Sequence, residues 1–401
     1  MRKIISFALL LLASAGILLV SCTKQSGGTG NGGTTDTTGT TDTDTLGHSI
    51  ILYGNASAGG DNDSGAIFTL RGDGTGFKIV YSFKSREGNS PGSTLCKGPN
   101  GKLYGVASGA GAYKQGTLFS FDPSSGTVNK IVDFSSTTNG IGDPFLDLTL
   151  AANGLIYGGN GYYFFSVDPA TDKFTLLHKA NALEGNISSC VQGKDGKLYG
   201  ISYAGGRVLN TSLKDTNGII YSYDITNNVF KRLYTFVNAT GMSPVNKLCA
   251  ASDGNLYGLT YEGGTNNDGV IFMFNPRTNA YTKLLDLDGT NGRNPILRNH
   301  LEEYNSKLYG IMYLGSTFAG AIFNYNTATS VDSILYTPNA NPQNYVAALT
   351  GLLLTSRNIM YVNGIGITSA ILRYNPANGS KKVIFQFPDA KTPVNGGLTE
   401  Y

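Results

Sequence analysis

The 401-residue chain has no tryptophan, only four cysteines and only three histidines. Without tryptophan it lacks the marker of every repeat class whose signature leans on that residue. His48, His178 and His300 are far apart and show no ligand spacing, so neither a metal nor a cofactor is expected. His300 with Glu302 and Glu303 is the nearest approach to a ligand set and reads as a solvated turn. Asp61-Asn62-Asp63-Ser64-Gly65 lacks the glycine and the closing glutamate of a calcium loop. No Gly-x-Ser-x-Gly nucleophile elbow occurs. Charged residues make up only 14% of the chain. Lys plus Arg total 30 against 27 Asp plus Glu, a net charge of +3. Loss of an N-terminal leader carrying Arg2 and Lys3 leaves 3 − 2 = +1. No basic surplus remains to neutralise phosphates, so nucleic-acid binding is excluded as a class.

Glycine (54), tyrosine (24) and phenylalanine (19) are abundant, as in a chain of short strands and tight turns. The motif Leu-Tyr-Gly returns at Leu52-Tyr53-Gly54, Leu103-Tyr104-Gly105, Ile156-Tyr157-Gly158, Leu198-Tyr199-Gly200, Leu256-Tyr257-Gly258 and Leu308-Tyr309-Gly310, and decays to Met360-Tyr361-Val362. The tyrosines are 51, 53, 42, 58, 52 and 52 residues apart. A period near fifty residues means one supersecondary unit repeated.

The N-terminus carries an address. Arg2 and Lys3 precede an apolar run from Ile4 to Val20 that ends in Ser21-Cys22. This is similar to the bacterial lipoprotein signal, which implies a leader over residues 1–21 and lipidation of Cys22. Residues 22–47 are rich in Gly and Thr and form a flexible tether, with a reach of roughly 25–30 Å. No acidic cluster follows Cys22. The expected location is the envelope of a Gram-negative bacterium, anchored on the periplasmic side of the outer membrane, with the lipid as the only membrane contact. Cys96, Cys190 and Cys249 each lie eight or nine residues before a repeat tyrosine. They read as small buried residues too far apart to bridge.

Within one repeat, Ser93–Cys96 is a short strand, Asn100-Gly101 a hairpin turn, and Lys102–Ala107 the second strand. Gly116–Phe121 is the third strand, Asp122-Pro123 a turn, and Asn129–Phe134 the fourth. Four antiparallel strands per period mean repeated four-stranded sheets. In the second strands Leu and Tyr are adjacent, so they point to opposite faces and both faces are apolar. Radial packing buries both faces of every sheet. The expected fold is an all-β, seven-bladed propeller over residues 48–401. The first unit lacks a first strand, and Pro393 opens an extra one. Val394–Glu400 is therefore expected to complete the first blade.

The phrase Asp253-Gly254-Asn255-Leu256-Tyr257-Gly258-Leu259-Thr260-Tyr261-Glu262-Gly263-Gly264, then Asp268-Gly269-Val270-Ile271-Phe272, resembles the GloVer tandem repeat of exported bacterial proteins. The likeness spans about residues 48–401 and thins in the third and seventh units. It implies a β-propeller-like exported protein and no particular activity. Kelch, WD-repeat and quinone-cofactor propellers lack their tryptophan here.

The second-to-third and fourth-to-first loops share one face of such a disc and read as the long ones. That face is the candidate site. Tyr203, Tyr261 and Tyr313 take the same position in successive units, with Arg207, Lys214, Glu262 and Arg293 beside them. This rim suits a glycan, a peptide or an envelope protein, bound by a monomer without catalysis. Packing of these tyrosines as repeat structure is the blander reading. A hydrolase or lyase drawing carboxylates from separate blades, and a scaffold that binds nothing, are the alternatives.

Overall fold

The computed structural model describes residues 45–139, 147–181, 183–203, 217–245, 247–296, 300–314, 317–338, 348–365, 369–387 and 397–401. They fall within one compact unit, Thr43–Tyr401. Cys22, the leader and nearly all of the tether lie outside the described residues.

Seven antiparallel sheets follow one another along the chain, as the repeat predicts. Blade 1 holds Ile51–Ala56, Ala66–Arg71 and Lys78–Ser82, with Leu398–Glu400 as its innermost strand. The closing strand runs antiparallel to Ile51–Ala56, pairing Leu52 with Glu400, Tyr53 with Thr399 and Gly54 with Leu398. The ring therefore closes by strand exchange. Blade 1 is preceded by a single helical turn, Thr45–His48.

In blades 2 and 5 the inner strand comes in two pieces, Asn89–Pro91 with Cys96–Lys97 and Met242–Pro244 with Cys249–Ala250. Ser93–Cys96 is thus not a continuous strand. In blade 2 the ladder is interrupted between the pieces, where the Ser93 hydroxyl accepts the Val106 N–H at 2.8 Å.

The two-sided burial is literal. Seven apolar clusters occupy the seven blade interfaces. Tyr53 and Ile67 of blade 1 meet Leu95 and Phe119 of blade 2. Tyr361 and Ile371 of blade 7 meet Phe68 and Leu398 of blade 1.

Each part of the repeat motif has a physical task. The tyrosine hydroxyl latches the turn before it. Asn100 and Asn153 amides donate to Tyr104 and Tyr157 at 2.9 and 2.8 Å, while Tyr199 and Tyr257 donate to Asp195 and Asp253, both at 2.7 Å. The motif glycine pairs across the ladder with the aromatic of the third strand, as in Gly105 with Phe119 and Gly258 with Phe272. A Cβ at Gly258 would stand 2.4 Å from Phe272 Cζ and 2.9 Å from Leu248 Cδ2. No other residue fits between that ring and that leucine.

The two departures from this pattern compensate. In blade 7 Val362 replaces the glycine, and its partner is the smaller Leu372. In blade 4 the aromatic is Tyr221, whose hydroxyl donates to Ser188 O at 3.1 Å. There the inner-strand leucine has become Cys190, which pairs with Gly200. Cys190 therefore sits one position away from Cys96 and Cys249, which pair with repeat tyrosines.

Candidate functional site

The second-to-third loops are less uniformly long than the sequence suggests. In blade 3 the loop is only Gly161-Tyr162, joining Ile156–Asn160 to Tyr163–Asp168. In blade 6 Leu314 already pairs with Thr317. Blades 1, 2 and 5 share a closed loop in which a final glycine N–H donates back across six residues: Gly65 to Gly59 O, Gly116 to Ala110 O and Gly269 to Gly263 O, each 3.1 Å. This accounts for the calcium-like phrase at Asp61–Gly65. Asn62 donates to Phe83 O at 3.1 Å and Asp63 Oδ1 accepts the Gly59 N–H at 2.9 Å. Asn266 and Asn267 repeat both bonds in blade 5. Gly218, at φ 97°, opens its strand where only glycine is unstrained, and a Cβ there would be 2.4 Å from Pro244 Cδ of the next blade. The loops thus brace neighbouring blades.

Of the expected rim, Tyr261, Arg293 and Tyr313 come together between blades 5 and 6. Arg293 and Tyr313 exchange backbone hydrogen bonds of 2.8 and 3.0 Å. Arg293 Nη2 lies 3.3 Å from Asp268 Oδ1, and its Nε–H donates to Asn294 Oδ1 at 3.1 Å. The Asn294 amide donates to Tyr261 O at 2.8 Å. Both tyrosines also pack on blade clusters. Burial, then the neighbouring Tyr261, pushes the Tyr313 phenol upward. Glu262 ends the second strand of blade 5, opposite Met242. Tyr203 stands apart on blade 4, 45% exposed. Arg207 and Lys214 lie outside the described residues.

A second set of residues was not recognised in the sequence. The residues opposite the repeat tyrosines are Cys96, Thr149, Val191, Cys249, Glu302, Leu353 and Thr399. Two positions earlier, where each inner strand enters from the long-loop face, stand Thr94, Asp147, Ser189, Lys247, His300, Gly351 and Gly397. They run around the channel mouth in blade order. The Thr94 N–H donates to Asp147 Oδ1 at 3.1 Å, and the Asp147 N–H to Ser189 Oγ at 2.7 Å. A Cβ at Gly397 would meet Thr94 Oγ1 at 2.3 Å. Five adjacent blades thus place polar or charged residues in this column, of which Asp147 and Ser189 are buried and Thr94, Lys247 and His300 half-buried, and two place glycines.

His300 belongs to this column rather than to a solvated turn. Its Nε2 is 3.0 Å from Glu302 Oε1, and its Nδ1 is buried without a hydrogen-bond partner. Glu303 turns away and accepts both the N–H and the hydroxyl of Ser252, each at 2.6 Å. Among the described residues no group of three metal-ligating side chains occurs. The thiols are free. Burial pushes Cys96 up to about 11 and Cys190 up to about 12.

Fold and site together define a repeat-built, seven-bladed β-propeller with a polar channel mouth. The chain belongs to the Gloeobacter/Verrucomicrobia repeat family, whose model matches residues 23–163 and 159–363. No curated protein matches it. Among solved structures, a candidate 6-phosphogluconolactonase from Bacteroides fragilis is similar at 14% identity and TM-score 0.60, over 90% of this chain and 100% of that one. A streptogramin B lyase is similar at 14% identity and TM-score 0.56, over 80% and 96%. TolB from Acinetobacter baumannii is matched over 86% of this chain but only 65% of its own length, at 13% identity and TM-score 0.48. At these identities the likeness is one of fold.

Proposed function

We propose that this chain is a lipid-anchored, extracytoplasmic propeller that binds a glycan, a peptide or an envelope protein through its long-loop face. The observation that carries the reading is the asymmetry between the two faces. On the opposite face, the first-to-second turns of blades 2, 3, 4 and 5 are tight Asn-Gly or Asp-Gly turns whose side chains are engaged by the tyrosine latches. The long-loop face instead gathers Tyr203, the Arg293 cluster and the polar channel mouth. The lipid on Cys22 and the tether hold the domain near a membrane.

A screen of the full chain, extracted in detergent, against glycan and peptide arrays tests the proposal. Retention that Tyr203→Ala or Arg293→Ala weakens supports it. Retention indifferent to both substitutions and to every mouth residue refutes it. Asp147 and Glu302, on inner strands of different blades, keep a lyase or hydrolase as the second reading. Turnover of an array ligand that Glu302→Gln abolishes favours that reading.

A further inference from the structure

Blade 3 replaces the closed loop of blade 2 with the two-residue turn Gly161-Tyr162, whose glycine sits at φ 69°. The turn reaches the next blade. Gly161 pairs antiparallel with Ile187, at the start of the blade 4 inner strand, and Ile187 pairs with Ser202 of the second strand. The Ile187 N–H donates to Gly161 O, and the Tyr203 N–H to Asn186 O at 3.3 Å. Three segments thus run side by side across the boundary of blades 3 and 4. In an antiparallel ladder a step forward on one strand is a step back on its partner. Tyr162, Asn186 and Tyr203 therefore stand abreast, one step towards the loops from Gly161, Ile187 and Ser202. All three are exposed, Tyr162 by 49% and Tyr203 by 45%. Among the described residues neither ring meets another ring or a cation, neither hydroxyl is hydrogen-bonded, and the Asn186 side chain has no partner. The repeat does not account for them. Tyr261 and Tyr313, at the position of Tyr203, pack on blade clusters. Asn62, Asn266 and Asn267 close their own loops. The two charges of the connecting segment 179–186 are engaged as well. Glu184 accepts from the Asn181 N–H at 2.9 Å and lies 3.0 Å from His178 Nε2, and Lys179 Nζ lies 5.5 Å from the centre of the Tyr163 ring.

We propose that Tyr162, Asn186 and Tyr203 bind an extended, uncharged, β-1,4-linked glycan lying across blades 3 and 4. Neighbouring strands are about 5 Å apart, so the two tyrosines stand roughly 10 Å apart. One strand step is close to the advance of one pyranose along such a chain. Each sugar is turned over relative to the last, so alternate sugars present the same face. The outer two of three consecutive sugars stack their C–H faces on Tyr162 and Tyr203, an apolar contact that needs no charge. The sugar between them meets the Asn186 amide, which offers a donor and an acceptor to adjacent hydroxyls. An α-1,4 chain curls and does not keep alternate sugars on one line of rings. This assignment rests on the long-loop face being the binding face, and names the ligand class and its place there.

Calorimetric titration of the full chain with the β-1,4 hexaoses of glucose, mannose and N-acetylglucosamine, the matching disaccharides, maltohexaose and a deca-proline peptide tests it. Saturable binding of at least one β-1,4 hexaose is expected. Its disaccharide, too short to reach both rings, and maltohexaose are expected to bind at least tenfold more weakly. Tyr162→Ala and Tyr203→Ala should each weaken binding at least tenfold, and Tyr162→Phe and Tyr203→Phe should retain most of it, because the ring stacks and the hydroxyl does not bind. The tyrosine absorbance change on saturation should shrink in each phenylalanine variant, a readout that does not depend on the alanine variants folding. Absence of saturable binding of all three hexaoses, binding that either alanine variant leaves unchanged, an absorbance change untouched in both phenylalanine variants, or maltohexaose bound as tightly as the β-1,4 chain overturns the site. Binding of the proline peptide in place of the hexaoses overturns the glycan assignment. Array retention weakened by Arg293→Ala and unchanged by Tyr162→Ala removes this inference and leaves the binding-face proposal standing. Absence of both array and hexaose binding removes both.

Discussion

Filling the motif glycine of one blade, and then shrinking its aromatic partner, should reproduce in blade 5 what blade 7 already does. Gly258 is not in the left-handed region, so a side chain there meets no backbone strain. The cost is steric: its Cβ would stand 2.4 Å from Phe272 Cζ, 2.8 Å from Cε1 and 2.9 Å from Leu248 Cδ2. Overpacking of this kind costs about 1–3 kcal/mol. Relief of glycine's excess unfolded-state entropy returns roughly 0.5–1 kcal/mol. Gly258→Val is larger than alanine and should fall near the top of the net range, about 2–2.5 kcal/mol. Phe272→Leu alone removes ring contacts with Phe236 at 5.2 Å and Tyr281 at 5.3 Å and should cost about 1–2 kcal/mol. The double variant recreates the Leu352–Val362–Leu372 arrangement of blade 7. It should be less destabilised than the sum of the singles by about 1–2 kcal/mol. Urea titration of all four proteins, followed by tyrosine fluorescence and far-UV circular dichroism, measures the coupling. Additivity within about 0.5 kcal/mol would refute the size-matching argument.

The remaining predictions concern closure, the thiols and the rim. Removing Leu398–Tyr401 deletes the Thr399 hydroxyl bond to Leu95 O, the Tyr401 backbone bond to Ile51 O at 2.9 Å and the two Glu400 bonds to Ser356 at 2.6 and 2.7 Å. It also bares the Ile51–Ala56 edge, so dye binding to apolar surface and aggregation on size-exclusion chromatography should rise; an unchanged elution profile contradicts closure by that strand. The single change Glu400→Gln keeps the strand and should lower stability by only about 1 kcal/mol, read as a small shift of the urea midpoint. Cys96 and Cys190 have folded pKa values raised from 9.0 to about 11 and about 12. Their stabilisation is complete below pH 9 and is lost as pH rises through 9 to 12. The melting temperature should therefore fall across that window, and Cys190 should resist iodoacetamide at pH 8 until urea unfolds the chain. Arg293→Ala removes the ion pair with Asp268 and should leave stability within about 1 kcal/mol, read by the urea midpoint, because the backbone pairing with Tyr313 remains.

The fold was legible because each physical demand of a propeller falls on the same residue type in every repeat. Burial of both sheet faces shows as adjacent Leu and Tyr, the turn as Asn-Gly or Asp-Gly, and the third strand as Gly-x-hydrophobic-Phe. The places where the pattern weakens were harder to read. Val362 looked like decay, yet it is the size-matched partner of Leu372 across a ladder. The reason lies at a distance: the two positions are ten residues apart in sequence and touch only once the hairpin forms. The cysteines misled in the same way. Cys190 looked equivalent to Cys96 and Cys249, but it stands nine residues before its tyrosine and they stand eight, and in a regular antiparallel ladder that one residue moves it onto the glycine.

The site was less legible for a reason the repeat itself supplies. A repeat advertises the residues that recur, and those are the ones that hold blades together. Tyr261 and Tyr313 recur, and both are tied into blade packing and backbone pairing. A ligand on the ring axis meets each blade once, from a different direction, so the residues that face it have no cause to recur. Thr94, Asp147, Ser189, Lys247, His300, Gly351 and Gly397 share a register position and no chemistry. They become a set only when the register of the innermost strand is known, two residues before the partner of each tyrosine. In this fold the position that varies in type while keeping its register is therefore the better guide to binding.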